Sequence, residues 1–186
     1  RLEQEGVEVH CGRPVGTVSV AGDAAEVRFP GGETRSFDDV VLTMPSARVP
    51  SLCPQLGGEE AARFGRVVYQ GITCASLLLR KPLANYYVTN ITEPWVPFTA
   101  VVEMTTLVDK SWFGGNALVY LPRYLTQDDP FWERTDEQVE AEFLPALERM
   151  YPHFRRDDVL AFRVSRAREV QALSTLRYSE DALPPV

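Results

Sequence analysis

Residues 135–150 read T-D-E-Q-V-E-A-E-F-L-P-A-L-E-R-M, and they decide the fold. Thr135 followed by Gln138 is a capping box, in which the threonine hydroxyl and the glutamine side chain satisfy backbone N–H groups that a helix start leaves without partners. Behind it, Val139, Phe143, Leu147 and Met150 recur at spacings of four, four and three. Four large apolar side chains therefore lie on one stripe, with Glu137, Glu140 and Glu142 as solvated charge. Pro145 removes one backbone donor, so a kink is expected there, and Pro152 lies past the expected end. Burying the stripe could contribute roughly 6–12 kcal/mol before entropy is counted. Such a helix needs a flat apolar partner.

The sequence before and after the helix supplies one. Strand-like segments fall at 71–79, 86–91, 98–106, 117–121 and 159–165, rich in β-branched and aromatic residues. The first four are joined through Pro82, Pro94, Pro97 and Gly114-Gly115, in connections too short for a helical crossover, so neighbours should mostly run antiparallel. The helix covers one face of that sheet and leaves the other to line a cavity.

Nearer the N-terminus the pattern is a meander. Val7 and Val9 alternate with Glu8 and His10, and Val15, Val18 and Val20 start another strand. Turn residues at 21–24 and 30–33 frame Val27 and Phe29. Val40-Val41-Leu42-Thr43 is a continuous apolar run, expected to be a strand buried on both faces and ended by Pro45. A short helix is expected at 59–64. The expected fold is α+β, a β meander followed by a mixed, mostly antiparallel sheet with one long helix packed on one face. Its expected parts are 1–45, 46–170 and 171–186.

Composition narrows the function. A net charge of −7 over 186 residues lacks the basic surface that a nucleic-acid backbone requires. No apolar run is long enough to span a bilayer. Cys11, Cys53 and Cys74 form no paired or zinc-like spacing and are expected to be reduced thiols in a cytoplasmic protein. Only His10 and His153 could assist a metal site, and none is expected. Asn90-Ile91-Thr92 fits the glycosylation pattern by chance. The start at Arg1 carries neither a methionine nor an apolar leader, and 182–186 reads as a severed connection, so a clipped chain is expected.

The glycine-rich dinucleotide and phosphate loops, the serine nucleophile elbow and the zinc-helix motif are all absent. Gly31-Gly32 and Gly114-Gly115 sit in turns rather than between a strand and a helix. Glu103, flanked by Val101, Val102 and Met104, has two readings: a solvent-facing strand residue, or a buried one needing an arginine partner or a raised pKa. Tyr86-Tyr87, Trp95 and Trp112-Phe113 either line a cavity or belong to the core.

The order of several short motifs resembles the flavin-containing amine oxidases and their protoporphyrinogen-oxidase-like and carotenoid-desaturase-like relatives. Gly6-Val7-Glu8-Val9 and Pro14-Val15-Gly16-Thr17-Val18 are followed by Phe37-Asp38-Asp39-Val40-Val41-Leu42-Thr43-Met44-Pro45. Tyr86–Ile91, Pro97-Phe98, Val102–Thr106 and Leu118–Leu121 resemble the later part of a bacterial subgroup. The likeness implies that 1–45 is an accessory β unit of an FAD-binding domain, 46–170 a substrate-binding domain, and 171–186 a return toward the cofactor domain. It implies that Val15 meets the adenine end of FAD, and that Thr43 and Pro45 mark the crossing into the substrate domain. Tyr87, Asn90, Glu103, Thr105 and Tyr120 match the wall over the flavin ring. It assigns no catalytic residue.

The reading this supports is an internal, mainly substrate-side fragment of an FAD-dependent oxidoreductase acting on a C–N or C–C bond of a small molecule. The fragment is expected to be inactive and not to hold FAD, and to self-associate through apolar surface that its missing cofactor domain would cover. Two alternatives stay open: a non-catalytic binding domain with an aromatic groove, and a fragment of a reduced-flavin sugar mutase.

Overall fold

The computed structural model describes residues 2–181; Arg1 and the tail 182–186 lie outside the described residues. The chain divides into two units, Arg1–Val68 with Ser174–Val186, and Tyr69–Leu173.

In the first unit, β1 (Thr17–Ala21), β2 (Ala24–Arg28) and β3 (Thr34–Phe37) form an antiparallel meander in that order. Gly22, at φ 63°, takes the left-handed conformation that the two-residue β1–β2 turn needs. Val18 and Val27 are cross-strand partners, and both are buried. Helices α1 (Val49–Leu52) and α2 (Gly58–Gly65) follow, with Cys53 buried against that pair and Val49, Leu52 and Leu56 packed around it. Residues 46–68 pack with the first compact unit, and the second begins at Tyr69. A short helix α4 (Tyr178–Asp181) also belongs here.

Two expected strands are absent. Residues 7–10 are irregular, with Val7 and Val9 exposed. Residues 40–43 are irregular too: Val40 and Leu42 turn toward the Val18–Val27 cluster, while Val41 is 83% exposed. Strand composition alone does not make a strand, because the ladder requires a neighbour to accept and donate hydrogen bonds. Among the described residues neither segment has one.

The second unit contains β4 (Tyr69–Leu79), β5 (Val88–Asn90), β6 (Ala100–Glu103), β7 (Ala117–Leu125), α3 (Asp136–Met150) and β8 (Val159–Ala172). The sheet order is β5-β6-β7-β4-β8, and every pair is antiparallel rather than mixed. The capping box forms as the sequence predicts: Gln138 N–H donates to Thr135 Oγ1 at 3.3 Å and Thr135 N–H donates to Gln138 Oε1 at 3.0 Å. Val139, Phe143 and Leu147 lose all solvent contact, while Met150 stays half-buried. Phe143 meets Phe98 edge-on at 5.2 Å and stacks on Phe131 at 6.1 Å. The helix runs through Pro145 because Pro145 and Ala141, whose carbonyl loses its partner, are both exposed to water.

Candidate functional site

The alternation of β4 sorts the sheet into two faces. Gly71, Thr73, Ala75, Leu77 and Leu79 are buried, and the residues between them are half-exposed. Partners directly opposite in an antiparallel ladder project to the same side. Val119 and Leu121 therefore share the helix side with Leu77 and Ala75. The far side carries Ile72, Cys74, Ser76 and Leu78 of β4, with Tyr120 opposite Ser76 and Pro122 opposite Cys74. On β8, Arg163 stands opposite Ser76 and Ser165 opposite Cys74. Val102 stands opposite Tyr120, and Val88 and Asn90 of β5 extend the surface to the sheet edge.

Of the residues predicted for the cavity wall, Asn90 and Tyr120 lie on this far face. Tyr87 flanks it, exposed in the bend before β5, and its carbonyl accepts the Glu103 N–H at 2.8 Å. Glu103 lies on the helix side of the sheet, and Thr105 lies beyond the end of β6. Glu103 stands opposite Val119, on the helix side, and is only 2% exposed. Its Oε2 accepts the backbone N–H groups of Leu83 and Ala84, both at 3.0 Å. Backbone donors, not an arginine, satisfy the buried carboxylate, and it pins the β4–β5 connection to the sheet. Thr105 is buried in the 3-10 turn Met104–Thr106, where its Oγ1 accepts the Leu118 N–H at 3.2 Å. Burial pushes the nearby Tyr151 phenol above its ordinary range, a hydrogen bond to Thr89 opposes the shift, and the Glu103 charge adds to it.

In the first unit, Val15 precedes β1 on a segment held by three contacts. Gly16 N–H donates to Arg28 O at 2.8 Å, and Arg13 pairs with Glu33 while its guanidinium lies 4.1 Å from the Phe29 ring centroid. A Cβ on Gly16 would sit 3.0 Å from Arg28 O, tighter than an ordinary contact, so a larger residue would push the segment slightly away from β2. Thr43 is exposed, and Pro45 opens the 3-10 turn Ser46–Arg48.

The described residues do not fit a dinucleotide by themselves. A pyrophosphate binds where free N–H groups and the positive end of a helix dipole meet it. The first turn of α2 carries Glu59 and Glu60, and that of α3 carries Asp136 and Glu137 behind a closed capping box. Both ends repel an anion. Among the described residues no group of three or more His, Cys, Asp or Glu is placed to hold a metal ion, and no helix is long and apolar enough to cross a membrane.

The sequence model of the family described as flavin containing amine oxidoreductase matches residues 1–181. The chain belongs to this family. No curated protein matches it. Several solved structures do. An oxidoreductase from Methanosarcina mazei is 18% identical with a TM-score of 0.64, over 88% of this chain and 39% of that one. Reduced UDP-galactopyranose mutase is 12% identical with a TM-score of 0.66, over 90% and 37%. Putrescine oxidase bound to putrescine is 16% identical with a TM-score of 0.63, over 87% and 36%. At such identities the likeness is one of fold. The chain spans less than two fifths of the length of these structures.

On this flavin amine oxidoreductase chain, sequence reading passed over Ser76, Cys74 and Arg163. Their signal was present in the alternation of 70–78 and 161–167. Only the pairing register reveals that these residues stand beside Tyr120. Burial raises the Cys74 thiol above its ordinary range, against a hydrogen bond from Leu121, so the thiol stays protonated at neutral pH.

Proposed function

We propose that this chain is the substrate-side part of a longer FAD-dependent oxidoreductase that acts on a C–N or C–C bond of a small molecule. In this reading the far face of the five-stranded sheet is the cavity wall, with Asn90, Tyr120 and the flanking Tyr87 as substrate contacts. The meander is an accessory unit of the cofactor domain, in which Val15, Thr43 and Pro45 approach the cofactor's surroundings. The rest of the parent chain holds FAD.

One observation carries the reading. Residues 40–43 have the composition of a buried strand inside a family match that runs from 1 to 181, yet among the described residues they have no strand partner, and Val41 is 83% exposed. A neighbouring strand from outside this chain would complete the ladder and cover Val41, as well as Val7 and Val9. In isolation the same surface favours self-association. The three free thiols fit a reducing compartment, so we place the parent in the cytoplasm.

Reconstitution with FAD tests this. The purified 186-residue chain is expected to emerge colourless from gel filtration after incubation with excess FAD. A stoichiometric yellow complex of micromolar affinity would contradict it.

A further inference from the structure

We infer that the far face of the sheet selects a substrate bearing a carboxylate, bound by Arg163 with the hydroxyls of Ser76 and Tyr120 beside it. This rests on the reading of that face as the substrate wall and adds a substrate class to it.

The register carries the inference. Ser76 stands opposite Tyr120 on one side and Arg163 on the other, and Tyr120 stands opposite Val102, which faces Val88. These five residues form one row across all five strands. Side chains directly opposite in antiparallel strands start about 4.5–5.5 Å apart at Cβ. Two hydroxyls and a guanidinium therefore fall within the span of a single small molecule, on strands whose pairing fixes their spacing.

The charge on Arg163 is uncompensated where those of its neighbours are not. Arg166 donates to Asp136 Oδ1 and to the Arg134 carbonyl, both at 2.7 Å. Arg168 donates to the Gln127 carbonyl at 3.0 Å and lies over the Trp132 ring. Thr73 on the helix side faces Arg166, whereas Ser76 on the far side faces Arg163. Among the described residues Arg163 has no carboxylate partner. Nor is any position sharing its face acidic, from Ile72 to Leu78 on β4 and across their partners on the other strands. The nearest acids along the chain, Asp158 and Glu169, are five and six residues away, roughly 17 and 20 Å along an extended strand, and Asp158 already pairs with Lys81.

A guanidinium presents a planar fork that fits a carboxylate with two parallel hydrogen bonds. Val88, Val102, Leu78 and Pro122 supply apolar contact for the body of such a molecule. The same face disfavours a diamine such as the putrescine held by one of the structurally similar oxidases. It would set a cation beside an unpaired arginine with no carboxylate to receive it.

Amide chemical-shift mapping on the full 186-residue chain tests this with three ligands: benzoate, benzylamine and inorganic phosphate. Benzoate is expected to shift the amides of Ser76, Tyr120 and Arg163, with phosphate weaker and benzylamine silent on that row. Arg163→Gln, at an exposed position, should leave the remaining spectrum unchanged and weaken benzoate by about tenfold or more. Arg163→Lys should retain part of the binding. Benzylamine or phosphate matching benzoate on the row would overturn the assignment, as would benzoate shifts absent from the row or unaffected by Arg163→Gln. The measurement involves no flavin. A failed benzoate result with a colourless chain would remove only this inference, and a yellow FAD complex would remove only the reading beneath it.

Discussion

The two units of the chain bury their apolar residues to very different extents. In Tyr69–Leu173 the sheet supplies Ala75, Leu77, Leu79, Val119 and Leu121, and α3 supplies Val139, Phe143 and Leu147, all with essentially no solvent contact. In the meander unit the buried cluster reduces to Val18, Val27 and Cys53, while Val7, Val9, Val20, Phe37 and Val41 remain exposed. A three-stranded meander with so small a core sits near the limit of independent stability, whereas a five-stranded sheet closed by an amphipathic helix does not. The difference teaches that the sheet unit carries a closed apolar core of its own, while the meander unit leaves much of its apolar surface uncovered.

The sharpest way to break that comparison is to damage the larger core. Phe143→Ala removes a ring packed between Phe98 and Phe131 and is expected to cost about 3–5 kcal/mol in chemical denaturation. The meander signals should be left nearly unchanged. Loss of both units together would show that the meander depends on the sheet unit.

A smaller effect is expected at Glu103. Glu103→Ala strands the N–H groups of Leu83 and Ala84 in the protein interior, at a cost of about 2–4 kcal/mol. Glu103→Gln keeps an acceptor oxygen and should cost less. Equal losses for the two variants would mean that the charge, rather than the accepting oxygen, matters.

The smallest effect is a pH dependence. Tyr151 is raised above its ordinary value of 10.0 in the folded protein, chiefly by burial. The folded state therefore holds that proton more tightly than the unfolded chain. Its contribution is complete below the unfolded value and is lost as pH rises through the folded one. Alkaline unfolding above about pH 10 should become less steep in Tyr151→Phe. An unchanged profile would show that Tyr151 does not contribute.

The sheet unit was legible in the sequence because its signals are local and mutually consistent. The 135–138 cap, the four-four-three stripe and the turn prolines each specify one structure, and each appears where the spacing puts it. The candidate wall was half legible. Tyr120 and Asn90 lie on the far face, but Glu103 has the opposite parity to Val102, and one residue of offset moves a side chain through the sheet. Arg163 was invisible because its neighbours Ser76 and Tyr120 are 87 and 43 residues away in sequence. The meander misled for another reason. Val7–Val9 and Val40–Thr43 have strand composition, but pairing is a property of two segments, and among the described residues neither stretch has a partner strand.

Native-state hydrogen exchange tests the contrast between the units most directly. Amides of Leu77, Val119 and the Val139–Leu147 turns are expected to exchange only through global unfolding of the sheet unit. Amides of β1, β2 and β3 should show protection lower by on the order of 100-fold, because little apolar surface is exposed when they open. Meander amides protected as strongly as those of β4 and β7 would show that the first unit is complete as it stands, and would contradict the account.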